Sequence, residues 1–172
     1  MKKTKKVTLT AMLMALSVAL LTLGSLLQVL DLSIAAIISA FVVFFRIELG
    51  TPYAIAFWLG TSFLSLLIYP GSTAGMLFAL LGLYPLLKSY LERLPHMLEW
   101  GLKVLLCEVI LIGYILIARF VFLLPDAVLK GWLSLLLLLL GTVTFLLYDV
   151  ALSKLILFYS FRIRPRIAKH LK

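Results

Sequence analysis

Glu108 and Arg119 are the residues whose chemistry is hardest to reconcile with their surroundings, because both interrupt the apolar run from Trp100 to Leu124. Eleven residues are about three helical turns, so the two share a face but lie about 16 Å apart along the axis, too far to pair. An ionisable side chain within hydrocarbon is costly and turns toward the interior of a bundle, to a partner or a ligand. For Glu108 this leaves open a structural partner, such as Lys103, Lys154 or a hydroxyl, and a direct ligand or proton role. Arg119 can snorkel to headgroups, or it can face the bundle as a cation favouring a carboxylate or phosphate ligand. Lys88 and Glu92, four residues apart, suit a solvated local ion pair or an attachment point for a cytoplasmic partner. Asp149 and Lys154 read the same way.

Other reactive chemistry is sparse. The two histidines, His96 and His170, stand outside any metal-ligand spacing, and the chain has no nucleophile elbow or phosphate-cradling glycine loop. The expectation is a protein that is not an enzyme and carries no cofactor and no metal. The lone Cys107 lies in an apolar stretch, which excludes an intramolecular disulfide and reads as packing.

The elements that position these residues follow from composition. Of 172 residues, 64% are apolar and 13% charged, too little polar surface for a soluble domain of this size, so the bilayer is the expected solvent. At roughly 20 residues per span the chain has room for about six spans and no separate soluble domain. The fold class expected is therefore all-α, a polytopic membrane helix bundle forming one domain over residues 1–172.

The segments read as Val7 to Leu27, Leu32 to Phe45, Tyr53 to Tyr69, Ala74 to Leu91, Trp100 to Leu124 and Lys130 to Tyr159. The second and third are short enough to be a re-entrant hairpin instead. Pro70-Gly71-Ser72-Thr73 is a turn, Pro85 bends the fourth segment near its end, and Lys88 to Glu99 is the main internal loop. Lys2, Lys3, Lys5 and Lys6 resemble the start of a signal peptide, but the apolar run behind them is long and reads as a retained first helix.

Six spans put the N-terminal lysines, Arg46, the Lys88 to Lys103 loop and Arg162, Arg164 and Arg166 on one side. The other side carries Asp31, Asp126 and Lys130. By the positive-inside rule both termini are cytoplasmic. The net charge of +9 thus reads as topology signal and contact with anionic membrane lipids, not nucleic-acid binding.

The first segment carries Ala11, Ala15 and Ala19 four apart, with Thr10 and Ser17 nearby. A flat stripe of small residues allows close helix approach, either within the bundle or to another subunit. Together with the lysine-rich start and Thr8-Leu-Thr-Ala11-Met-Leu-Met-Ala15-Leu, it resembles the substrate-binding S components of energy-coupling factor transporters, the bacterial micronutrient importers. That resemblance implies a multi-pass protein of the bacterial cytoplasmic membrane that binds a small molecule such as a vitamin. Its partners would be a transmembrane coupling subunit, docked on Ala11, Ala15 and Ala19, and the ATPase subunits. By position the family's outer-face site falls on Gln28, Asp31, Tyr69, Ser72, Thr73 and Arg119, with Glu108 as a further substrate-binding candidate. The histidine-bearing N-terminus of the nickel and cobalt members is missing. A second reading is a noncatalytic interaction or scaffold subunit of an envelope complex. A polar cavity opening outward would favour the first, a dry, packed bundle the second.

Overall fold

The structure is a computed structural model describing residues 3–28, 30–91, 95, 101–113 and 132–163, which are helical with short turns and no strand. Polar and proline-glycine punctuation sets the helix ends. Helix α1 (Lys3–Leu27) stops where Gln28 takes a φ of 56° and its amide returns to Gly24 O. Helix α2 (Asp31–Glu48) begins on an acidic residue and carries Arg46 in its last turn, the signs that the helix dipole favours. Gly50, at φ 101°, turns the chain into α3 (Thr51–Ile68), whose first turn accommodates Pro52 because amides there have no intrahelical partner.

After the Pro70-Gly71 turn, Ser72 caps α4 (Thr73–Leu81) by accepting the Gly75 amide. Helix α5 (Leu83–Leu91) follows a break at Gly82. Residues 101–113 form α6. Helix α7 (Trp132–Phe158) ends in a wider π turn, Tyr159–Ile163.

Side-chain contacts fix the direction of each helix. Ser25 of α1 meets Ser72 before α4, and Asp31 at the start of α2 meets Thr73. At the opposite end Lys6 of α1 lies over the Tyr53 ring of α3, Arg46 donates to Leu86 O, and Tyr159 donates to Glu48. Helices α1, α2 and α3 therefore each run the length of the bundle, α2 against the other two. Lys103 faces Asp149 and Glu108 faces Thr142, so α6 and α7 are antiparallel.

Two cores hold this arrangement. Leu21, Ile38, Val42, Phe45, Phe57 and Phe78 pack α1 to α4 together, with the Phe45 and Phe57 rings stacked at 4.5 Å. Tyr84, Cys107 and Phe145 join α5, α6 and α7, and the free Cys107 thiol is part of that packing. The outside is apolar as well: Met12, Phe63 and Leu147 are each 67% exposed. Among the described residues three helical stretches are long and apolar enough to cross a membrane, Lys3–Leu27, Thr51–Ile68 and Leu138–Arg162. Helix α2 matches α3 in length but carries three charged residues, Asp31, Arg46 and Glu48, at its ends.

Two sequence expectations are corrected. The fourth segment is not one helix bent at Pro85 but two helices separated at Gly82. Pro85 has no amide hydrogen for Leu81 O, four residues back, and its ring crowds that carbonyl, so the break precedes the proline. The internal loop does not start at Lys88, because residues 88–91 continue α5 and Lys88 is buried. Glu92, His96 and Glu99, and Pro125, Asp126 and Lys130 of the loop expected to be external, lie outside the described residues. So do Arg164, Arg166 and His170, while Arg162 is exposed and lies over the Phe158 ring.

Candidate functional site

Three of the site residues predicted from sequence come together where α1 ends and α2 and α4 begin. Ser72 is fully buried, bonds Ser25 Oγ at 2.7 Å and accepts the Gly75 amide at 2.9 Å. Ser25 Oγ also accepts from the Ala74 amide at 3.2 Å. Thr73 donates to Asp31 Oδ2, whereas Asp31 Oδ1 is buried with no hydrogen-bond partner among the described residues. Close backbone approach makes this packing possible: a Cβ on Gly75 would sit 2.7 Å from Ser65 Oγ and 2.8 Å from Ser72 Oγ. The cluster is a helix clamp. Sequence reasoning missed Ser25, whose signal was a small hydroxyl one turn from Gln28.

Gln28 and Tyr69 are exposed beside this clamp, and although the Tyr69 carbonyl accepts from the Ser72 amide at 2.9 Å, neither side chain joins its hydrogen bonds. Glu108 stands apart on α6, half-buried, and accepts from Thr142 Oγ1 at 2.9 Å in a groove edged by Leu138, Leu139 and Val143. The hydroxyl among its candidate partners is the one observed, and Lys103 goes elsewhere. Arg119 lies outside the described residues.

Ala11, Ala15 and Ala19 are exposed. The buried face of α1 is Thr10, Ser17, Val18, Leu21, Gly24 and Ser25, which overturns packing within the bundle as the role of the alanine stripe. Gly24 and Ser25 rather than the alanines let α1 approach its neighbours, since a Cβ on Gly24 would come within 2.8 Å of Ile34.

The solvated setting expected for Lys88 and Asp149 is also corrected. Lys88 is 1% exposed, Lys103 5% and Asp149 6%. Asp149 Oδ1 accepts from Lys88 Nζ and Tyr84 OH, and Oδ2 accepts from Lys103 Nζ at 3.2 Å. Lys88 also donates to Ser153 Oγ at 2.8 Å and lies over the Tyr84 ring. Removing these charges from water costs several kcal/mol per ion, and only multiple partners of opposite sign and hydrogen bonds offset it. The network ties α5, α6 and α7 together, whereas Lys154 is exposed. Asp149 lies near the midpoint of Leu138–Arg162, so the reasoning applied to Glu108 would have singled it out.

Next to Asp149, Tyr148 OH shares a 2.6 Å bond with Ser39 of α2 and lies 3.5 Å from Leu81 O, the carbonyl that Pro85 leaves without its amide. Tyr148 also walls a cavity of about 600 Å³ between α2, α4, α6 and α7. Ala36, Leu77, Ile110, Leu111 and Leu140 form much of its lining. The volume lies within the range of small-molecule sites, about 300–1,000 Å³. Its walls are apolar, where the sequence-based expectation was a polar cavity, and the bundle is not fully dry-packed either. Among the described residues no three His, Cys, Asp or Glu side chains gather as metal ligands.

No protein-family model matches the chain, and neither a curated protein nor a solved structure matches it.

Proposed function

We propose that this chain is the solute-binding membrane subunit of an importer of the energy-coupling factor type. In this reading it is a noncatalytic, cofactor-free bundle of about six spans in the bacterial cytoplasmic membrane. The observation that carries the reading is the cavity of about 600 Å³ between α2, α4, α6 and α7, because a subunit that only scaffolds needs no concavity of ligand size. The exposed Ala11, Ala15 and Ala19 support it, since an unused flat face on α1 fits close approach by a coupling subunit that brings the ATPases. The same face favours the second reading, a noncatalytic scaffold subunit of an envelope complex.

Ala15→Trp separates the readings when combined with a ligand assay. The variant keeps α1 apolar, so it should insert and stay folded while co-purification with a coupling subunit and its ATPases falls at least tenfold. Mass spectrometry of small molecules retained by the gently purified parent should detect a bound solute. Retention of a solute with undiminished coupling partners would show that the stripe is not the dock. An envelope complex captured in place of ATPases, with no solute, would replace the importer reading by the scaffold.

The topology belongs to the same proposal. Lys6 and Arg46 lie toward one end of the bundle, the end that the positive-inside rule assigns to the cytoplasm. In a Cys107→Ala background, cysteines introduced at Lys5 and Pro95 should be protected from an impermeant thiol reagent in intact cells. One introduced at Pro70, in the α3–α4 turn, should react. The opposite labelling pattern would invert the protein.

A further inference from the structure

Among the described residues, the cavity between α2, α4, α6 and α7 has no charged side chain in its walls. Its rim includes Leu32, in the first turn of α2, and Leu140 and Leu147 along α7, which are 45%, 53% and 67% exposed, so it opens through the apolar flank of the bundle, from the start of α2 along α7. Among the described residues, two of its three hydroxyls are engaged: Thr144 donates to Leu140 O at 2.8 Å and Tyr148 is bonded to Ser39 behind the wall, which leaves Ser33 in the first turn of α2. A carboxylate or phosphate in this space would be stripped of water without a compensating cation, a prohibitive cost for a charged group. A hydrocarbon ligand has the opposite balance, since it restores the dispersion contacts that an empty space beside packed side chains forfeits.

We infer that this cleft is a binding site for an uncharged, mainly hydrocarbon ligand that enters laterally from the bilayer. The site itself stands without the importer reading. Its consequence for cargo rests on that reading and makes the transported solute apolar, not the anionic compound for which Arg119 argued at the sequence level.

Photolabelling tests this with the full chain in phosphatidylcholine liposomes, using a long-chain alcohol that carries an alkyl diazirine. Label should map to the walls at Ile110, Leu111 or Leu140. Excess untagged alcohol should displace it, and the carboxylate of equal chain length should not. Ala36→Phe, which fills the cleft, should lower specific labelling roughly tenfold, equivalent to about 1.4 kcal/mol. Ala151→Phe at the exposed rim gives the same readout should the first variant fail to fold.

Label that neither competitor nor either variant reduces would mean bulk lipid chains only and would overturn the site. Equal displacement by alcohol and carboxylate would overturn the uncharged class. Intact, competable labelling in a protein that captures no coupling subunit would support the site while removing the importer reading.

Discussion

Asp149→Leu is expected to destabilise the bundle by about 3–5 kcal/mol, the cost of breaking a buried ion pair by removing one partner. The variant leaves Lys88 and Lys103, 1% and 5% exposed, without the carboxylate that both of them contact. Asp149→Asn should cost less, because its amide oxygen still accepts from Tyr84. Replacing all three charges, as Lys88→Met, Lys103→Met and Asp149→Leu together, should recover most of the loss, since apolar side chains of similar volume carry no desolvation cost. Thermal unfolding of the purified variants in one detergent is the measurement. A single Asp149→Leu variant as stable as the parent would mean that water reaches the network and that α5 and α7 are held by packing alone.

The second large effect is expected at the clamp. Ser72→Ala removes the cap of α4 and the Ser25 bond from a fully buried position. Loss of a serine cap costs about 0.5–2 kcal/mol, and an orphaned buried polar group about 1–3 kcal/mol, so a total of about 2–4 kcal/mol follows. Thr61→Val is the control. Thr61 is equally buried, but its Oγ1 has no hydrogen-bond partner among the described residues, so an isosteric apolar group should be neutral or stabilising. Equal losses at the two positions would show that volume, not hydrogen bonding, governs this end of the bundle.

Local punctuation was readable in the sequence. The end of α1 at Gln28, the turn at Pro70-Gly71 and the interruption between Arg46 and Pro52 each follow from one or two residues and fall where expected. Pro85 was recognised as a disturbance but misplaced, because a proline acts on the carbonyl four residues before it. What stayed illegible depends on the third dimension. Lys88 has Glu92 as its neighbour along the chain, but its partner Asp149 is 61 positions away on another helix, and no spacing rule connects them. The alanine stripe was visible as a pattern, yet only packing could show that α1 turns Gly24 and Ser25 inward and leaves the alanines outside. The cleft is drawn from four helices at once, and its apolar lining resembles any other stretch of leucines when read in order.

The separation of Lys88 from Asp149 also bears on how the protein is made. A lysine in an inserting helix is costly, at most about 2.5–3.5 kcal/mol on the translocon scale, the value at the helix centre, and synthesis delivers α5 well before α7. Until α7 leaves the ribosome, α5 and α6 present two lysines whose shared carboxylate has not yet been made. Entry of α7 then brings one carboxylate to both, so this part of the bundle locks only once α7 is in place. A chain cut short before α7 would keep those lysines without that carboxylate, a chemical mark by which a membrane protease could tell an unfinished copy from a complete one.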